Sequence, residues 1–222
     1  MAGLIRALVN FPSAELETNV LRDAAMARDL TARCERALVY GPGTPRQRMK
    51  MQLRDAFGID VSAWNENVDE AWDRVAQIRE RFAQMRSLLP QTTIRFDKVN
   101  PREMEEEPQA WVSPDEPRVI HVLADYFSLS GDDERSRAAK LIHELVHSLN
   151  ALYPSAPQVS GGEDRAHPGM MQGDYYAREK YQEEPLGIPF DKACRNAYCY
   201  QYFTVWLNGI SLATGIRGRR RP

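Results

Sequence analysis

The stretch Leu141–Asn150, LIHELVHSLN, decides how this chain is read. It places His143 and His147 four residues apart with Glu144 beside the first, in a chain with only 4 histidines. In a helix, positions i and i+4 are neighbours on one face, so both rings can turn toward one point without backbone strain. Glu144 is rotated by about 100° from His143 and flanks that point. Converging imidazoles suit a metal ion. A carboxylate beside them suits a base that takes a proton from metal-activated water and hands it to a leaving amine. An HExxH pattern arises by chance in roughly one chain of this length in a hundred or two, so the surroundings must decide. Ala138, Leu141, Ile142, Leu145, Val146 and Leu149 give the stretch a broad apolar face. A helix this apolar turns its histidines to the core or to a cleft, and two unpaired buried imidazoles are costly. Asp132 and Asp133 precede it as capping residues whose charge suits the N-terminal end of the helix dipole.

Working outward, the spacing of apolar residues predicts a helix from Glu15 to about Tyr40, ended by GPGTP at Gly41–Pro45. A second helix is expected over Arg46–Phe57, stopped at Gly58. A third runs from near SAWNENVDEAW to Leu89, with Val68, Trp72, Val75, Ile78, Phe82 and Leu88 or Leu89 on one buried stripe. The texture then becomes β-rich. TTIRFDKV reads as a strand with Ile94 and Phe96 on one face, and QAWVS and RVIHVLADYF as two more runs joined across the turn sequence PDEP. His121, alone in its strand, reads as a packing or hydrogen-bonding residue. After the histidine helix come a long Pro/Gly-rich loop, a helix opening at Asp174 and another from about Phe190 to Leu207. The expected fold class is α+β: a mostly helical single domain with a small β-sheet just before the histidine helix.

The 222 residues are 43% hydrophobic and 27% charged, the balance of a soluble globular protein. A net charge of -2 gives no global pull toward nucleic acid or an anionic membrane. Cys34, Cys194 and Cys199 are too few and too poorly spaced for a disulfide framework, and read as reduced core residues. The opening MAGLIRALVNFPSAELE is too weakly apolar for a signal peptide, and no stretch reaches the length of a membrane span. Synthesis in the cytoplasm is expected, with export, if any, by a machine that reads no N-terminal signal. That favours a cytoplasmic processing enzyme, or a toxin-like effector with a delivery or immunity partner, over a secreted digestive enzyme. The tail RGRRRP, Arg217–Pro222, reads as a solvated terminus.

A zinc hydrolase usually holds its ion with three protein ligands and keeps one position open. The downstream candidates for a third ligand are Glu163, Asp164, His167, Asp174 and Glu179. The longer pattern HExxHxxGxxH is absent, because Asn150 and Tyr153 stand where Gly and His would be.

Further motifs carry a resemblance. NAYCYQYF, Asn196–Phe203, follows QGDYYAREKY by about twenty residues, and AWVSPDEPRVIHVLADYF precedes the histidine helix. In this order they resemble the deuterolysin-like zinc endopeptidases (aspzincins) and their lysine-specific relatives, from roughly Thr31 to Phe203. Asn196, Ala197, Tyr200 and Phe203 match that family's Asn-Ala-Asp-x-Tyr-x-x-Phe-like signature. The resemblance implies a zincin-like fold over residues 31–208, flanked by an N-terminal segment with the start of the first helix (1–30) and a basic tail (209–222). It implies zinc held by His143, His147 and Asp174, with Glu144 as the catalytic glutamate. The implied activity is hydrolysis of protein or peptide substrates through metal-activated water, or in an inactive relative, binding without cleavage. The family tyrosine expected three residues after the aspartate falls on Ala177. Tyr176 is then the first substitute as oxyanion donor, with Tyr175 and Tyr181 as others. Tyr198 stands at the signature's aspartate. Asp164, His167 and Glu179 remain rivals of Asp174 for the third ligand position.

Overall fold

Two long helices begin at capping side chains that the sequence supplies. Ser13 accepts the Leu16 N–H at 3.3 Å and opens α1, Ala14–Ala37. Asn67 opens α4, Val68–Leu88, accepting the Glu70 N–H at 3.3 Å while its amide donates to the Glu70 carboxylate at 2.9 Å. This cap corrects the expectation of one helix across that region. Asn67 leaves helical geometry at φ -148°, which separates a short α3, Ala63–Glu66, from α4. The buried stripe shifts accordingly to Ala71, Val75, Ile78, Phe82, Met85 and Leu88, while Val68 is 39% exposed. Between α1 and α3 lies α2, Gln47–Phe57, which stops as expected at Gly58 in the left-handed region, φ 64°.

In this computed structural model, the described residues are 3–39, 45–60, 62–98, 109–128, 134–153 and 190–209. A single 3₁₀ turn at Leu89–Gln91 leads from α4 into the sheet. The sheet has the order β1-β2-β4-β3, with β1 Ala7–Val9, β2 Thr93–Phe96, β3 Ala110–Val112 and β4 Val119–Val122. β1, β2 and β4 run parallel, and β3 pairs antiparallel with β4 at the end of the sheet. The N-terminal strand β1 has no forecast in the sequence, since its three residues carry no alternation. RVIHVLADYF divides: it leaves the ladder after Val122 and turns into α5, Asp125–Ser128.

The histidine helix α6 covers Glu134–Leu152 and occupies the centre of the molecule. It touches α1, α4, β3, β4 and the C-terminal helix α8, Ala197–Asn208. Ile94, Ile120 and Val122 are fully buried on the sheet, as are Ala138, Leu141, Ile142 and Leu145 on α6. The expected C-terminal helix from Phe190 is interrupted. α7, Phe190–Ala193, ends, and Asn196 caps α8 by accepting the N–H groups of Tyr198 at 2.8 Å and Cys199 at 3.3 Å. Cys194 therefore lies between helices. All three cysteines are free thiols, with Cys34 and Cys199 buried and Cys194 half-buried. Among the described residues no helix is long and apolar enough to cross a membrane.

Candidate metal centre

His143 and His147 lie on successive turns of α6, and their Nε2 atoms are 3.0 Å apart. Two nitrogens bound to one tetrahedral zinc ion at about 2.0–2.1 Å stand about 3.3 Å apart, so this pair is already spaced as two ligands would be. His143 is only 4% exposed and Glu144 5%, while His147 is half-buried. Burial disfavours charge on all three. It pushes the His143 imidazole well below its ordinary range, helped by the charge of His147, and it brings His147 down to about 4. Both rings are therefore neutral near pH 7, the form that ligates a metal. Burial alone raises the Glu144 carboxyl to about 8. Its side chain has no hydrogen bond or ion pair among the described residues, so a cation beside it would favour its ionised form. These donors fit zinc: neutral imidazoles with converging nitrogens, and an unpaired carboxyl one residue away.

The site is braced from α8 and α4. Tyr198 lies edge-on to the His143 ring, with centroids 4.4 Å apart. Tyr200 donates its hydroxyl to the Cys194 carbonyl at 2.9 Å and packs edge-on against Phe57 and Phe82. Phe203 packs on the same two rings. The motif residues Asn196, Ala197, Tyr200 and Phe203 thus have physical jobs, as cap and packing surface. Asn150 ties the end of α6 in place by accepting from Arg81 at 2.6 Å and donating to the Arg195 carbonyl at 2.8 Å.

Asp174 and Tyr176 lie outside the described residues, as do Tyr175, Ala177, Tyr181 and the rival ligands Glu163, Asp164, His167 and Glu179. Asp132 and Asp133 and the Arg-rich tail lie outside them too. Among the described residues no third His, Cys, Asp or Glu joins the histidine pair to make a metal cluster.

His121 behaves as a hydrogen-bonding strand residue. Its Nδ1 is 2.6 Å from the Asp97 carboxylate, and its ring stacks flat on Trp111, with centroids 3.7 Å apart. Burial lowers its pKa more than the Asp97 partner raises it. Two residues near the centre had no part in the reading of the sequence: Gln201, which interacts with His143, and Asn150 in its bridging role.

No protein-family model matches the chain, and no curated protein matches it in sequence. The fold does have a solved counterpart. It is similar to a zinc peptidase from Grifola frondosa, with a TM-score of 0.55 over 86% of this chain and 95% of that one. Sequence identity is 15%, so the likeness concerns the fold. The mixed α+β architecture expected from the sequence is the architecture of that peptidase.

Proposed function

We propose that this chain is a zinc-dependent endopeptidase of the zincin type, similar to the aspzincins. The observation that carries this reading is the convergence of the His143 and His147 Nε2 atoms to 3.0 Å beside the buried Glu144, whose carboxyl has no partner among the described residues. The fold shared with a zinc peptidase supports it. His143 and His147 would hold the ion, with Asp174 as the third ligand that the resemblance implies. When bound, zinc polarises a peptide carbonyl and makes water acidic enough to attack it at neutral pH. Glu144 accepts the proton from that water on a carboxylate oxygen and delivers it to the departing amide nitrogen. Its burial keeps bulk water from competing for the proton. Tyr176 is assigned to donate a hydrogen bond to the oxyanion. Among the described residues β3 ends the sheet, and it borders α6, so an extended substrate can pair along Ala110–Val112.

The test is metal content measured together with peptide cleavage. Glu144→Ala should retain zinc and lose about 10²–10⁴-fold in turnover, the range general acid–base catalysis supplies. Full turnover in that variant with zinc still bound would sink the mechanism. Zinc in the wild type without any cleavage would instead favour a peptidase-like binding module.

A further inference from the structure

Besides the histidine pair of α6, the sheet carries a cluster of titratable groups of its own. The strand register sets Arg95 of β2, His121 of β4 and Trp111 of β3 in one row across it. Alternation turns this row to the face opposite Ile94 and Ile120, which are fully buried. The His121 side chain is nevertheless only 4% exposed, and Trp111 lies flat on its ring, with planes 9° apart and centroids 3.7 Å apart. Asp97 follows β2 and is held there by its own N–H, which donates to the Val122 carbonyl at 3.0 Å. Its carboxylate meets the His121 Nδ1 at 2.6 Å.

The other ring nitrogen is poised. Nε2 is buried and has no hydrogen-bond partner among the described residues. The Glu116 Oε2 stands 3.8 Å away, in the turn that leads into β4. Arg95 holds that carboxylate, donating at 3.1 and 3.5 Å. The gap has a chemical reason. A neutral imidazole has one N–H, and Asp97 draws it to Nδ1. Nε2 then turns a lone pair toward a carboxylate oxygen, and two acceptors cannot bond.

The charged groups that face the ring are Asp97 and Arg95 from β2 and Glu116 from the turn. The two carboxylates outweigh the one guanidinium, and a positive ring would balance them. It would also lie against the face of Trp111, where a cation is favoured. Burial opposes that charge and holds His121 below its ordinary 6.5, so the ring is neutral near pH 7 and takes a proton only in acid.

We propose that His121 is an acid-operated clasp of the sheet: a proton taken from solvent makes Nε2 a donor to the Glu116 Oε2, which joins the end of β2, the strand β4 and the turn before it beneath the Trp111 ring. The bond from Nδ1 to Asp97 is kept, so the Glu116 carboxylate has to move by only about 1 Å. Glu116 is 47% exposed, which suits such a movement. The clasp does not rest on the metal reading, since none of its groups belongs to that centre.

The experiment titrates the full chain from about pH 8 to about pH 4, reading the ¹⁵N shifts of His121 and the tryptophan fluorescence, which an imidazolium in contact quenches. In the wild type the neutral ring should carry its hydrogen on Nδ1, and Nε2 should gain one in a single transition with a midpoint below 6.5. Fluorescence should fall through the same transition, and Trp111→Phe should abolish that fall. Glu116→Gln removes the charge that receives the new N–H and should lower the midpoint. Hydrogen exchange separates a closed clasp from a mere effect of charge. The Val119 N–H donates to the Glu116 carbonyl at 2.9 Å. Its exchange rate in Glu116→Gln, divided by that in wild type, should rise as the pH falls through the midpoint. A ratio that does not change with pH, or a midpoint unmoved in Glu116→Gln, would overturn the clasp. So would a neutral ring with its hydrogen on Nε2, a ring that stays neutral until the chain unfolds, or quenching retained in Trp111→Phe. If Trp111→Phe fails to fold, the ¹⁵N shifts and the exposed substitution Glu116→Gln decide by the same criteria.

Discussion

Helix α6 carries two buried polar clusters, and they differ in how completely they satisfy themselves. Near its start, Arg137 donates to both oxygens of Asp23 on α1, at 2.8 and 3.1 Å, and the Tyr126 hydroxyl donates to the same carboxylate at 3.1 Å. Asp23 is 0% exposed, and burial raises its pKa despite Arg137. Six residues on, about 9 Å along the helix, His143 and Glu144 are buried and His147 half-buried, and they meet no such partners among the described residues. The two imidazoles face each other, one Nδ1 is orphaned, and the Glu144 carboxyl stands alone among the described residues. Desolvating a polar group is offset only when a partner replaces the lost water. The first cluster contains its partners, so it needs nothing else and reads as structure. The second makes sense once a cation shares the site.

The comparison is most easily broken at the complete cluster. Asp23→Ala leaves Arg137 largely buried without its carboxylate, and should cost about 3–5 kcal/mol in denaturant unfolding, with or without zinc. A loss below about 1 kcal/mol would mean that the pair adds little and that completeness is the wrong criterion. The open cluster should respond to metal instead. Zinc at a hundredfold excess over its dissociation constant should stabilise the wild type by about 2.7 kcal/mol, read as a rise in melting temperature. His147→Ala should lose that response, and an equal rise in both proteins would place the ion elsewhere.

A smaller effect sharpens the contrast in the metal-free protein. Glu144→Leu removes an unpaired buried carboxyl and should gain about 1–3 kcal/mol. The folded carboxyl titrates at about 8, above its ordinary 4.5. The folded chain therefore binds more protons than the unfolded chain across that window, and wild-type stability falls as pH rises through it. The advantage of Glu144→Leu should accordingly grow from about pH 4.5 to about pH 8. An advantage that shrinks over that range would contradict the assigned burial of Glu144.

Much of the helical scaffold was legible in the chain, because caps and apolar spacing act locally. Gly58 ends α2 where expected, and Ile94 and Phe96 share the inner face of β2 as their alternation suggests. The misses have local causes as well. Asn67 and Asn196 are capping residues inside stretches of strong helical character, and a hydrophobic pattern passes over such breaks. β1 was illegible because Ala7–Val9 owe their strand to parallel pairing with β2, more than eighty residues away. Asp125–Phe127 looked β-rich by composition, yet they turn helical beyond the end of the β4 ladder. At the centre, HExxH was legible because the i, i+4 rule is a property of the helix itself. The place of Gln201 beside His143 was not, since it requires knowing how α8 packs on α6.

By itself, then, the sequence determined which residues share one helical face: His143 and His147 together, Glu144 beside them, and an apolar stripe to bury them. It did so because helix periodicity is set by backbone geometry alone. Only the tertiary structure decided that this helix lies at the centre, that both Nε2 atoms meet at 3.0 Å, and that one buried nitrogen of His143 has no partner among the described residues. Those features depend on which distant surfaces exclude water, and exclusion of water is a property of the packed whole.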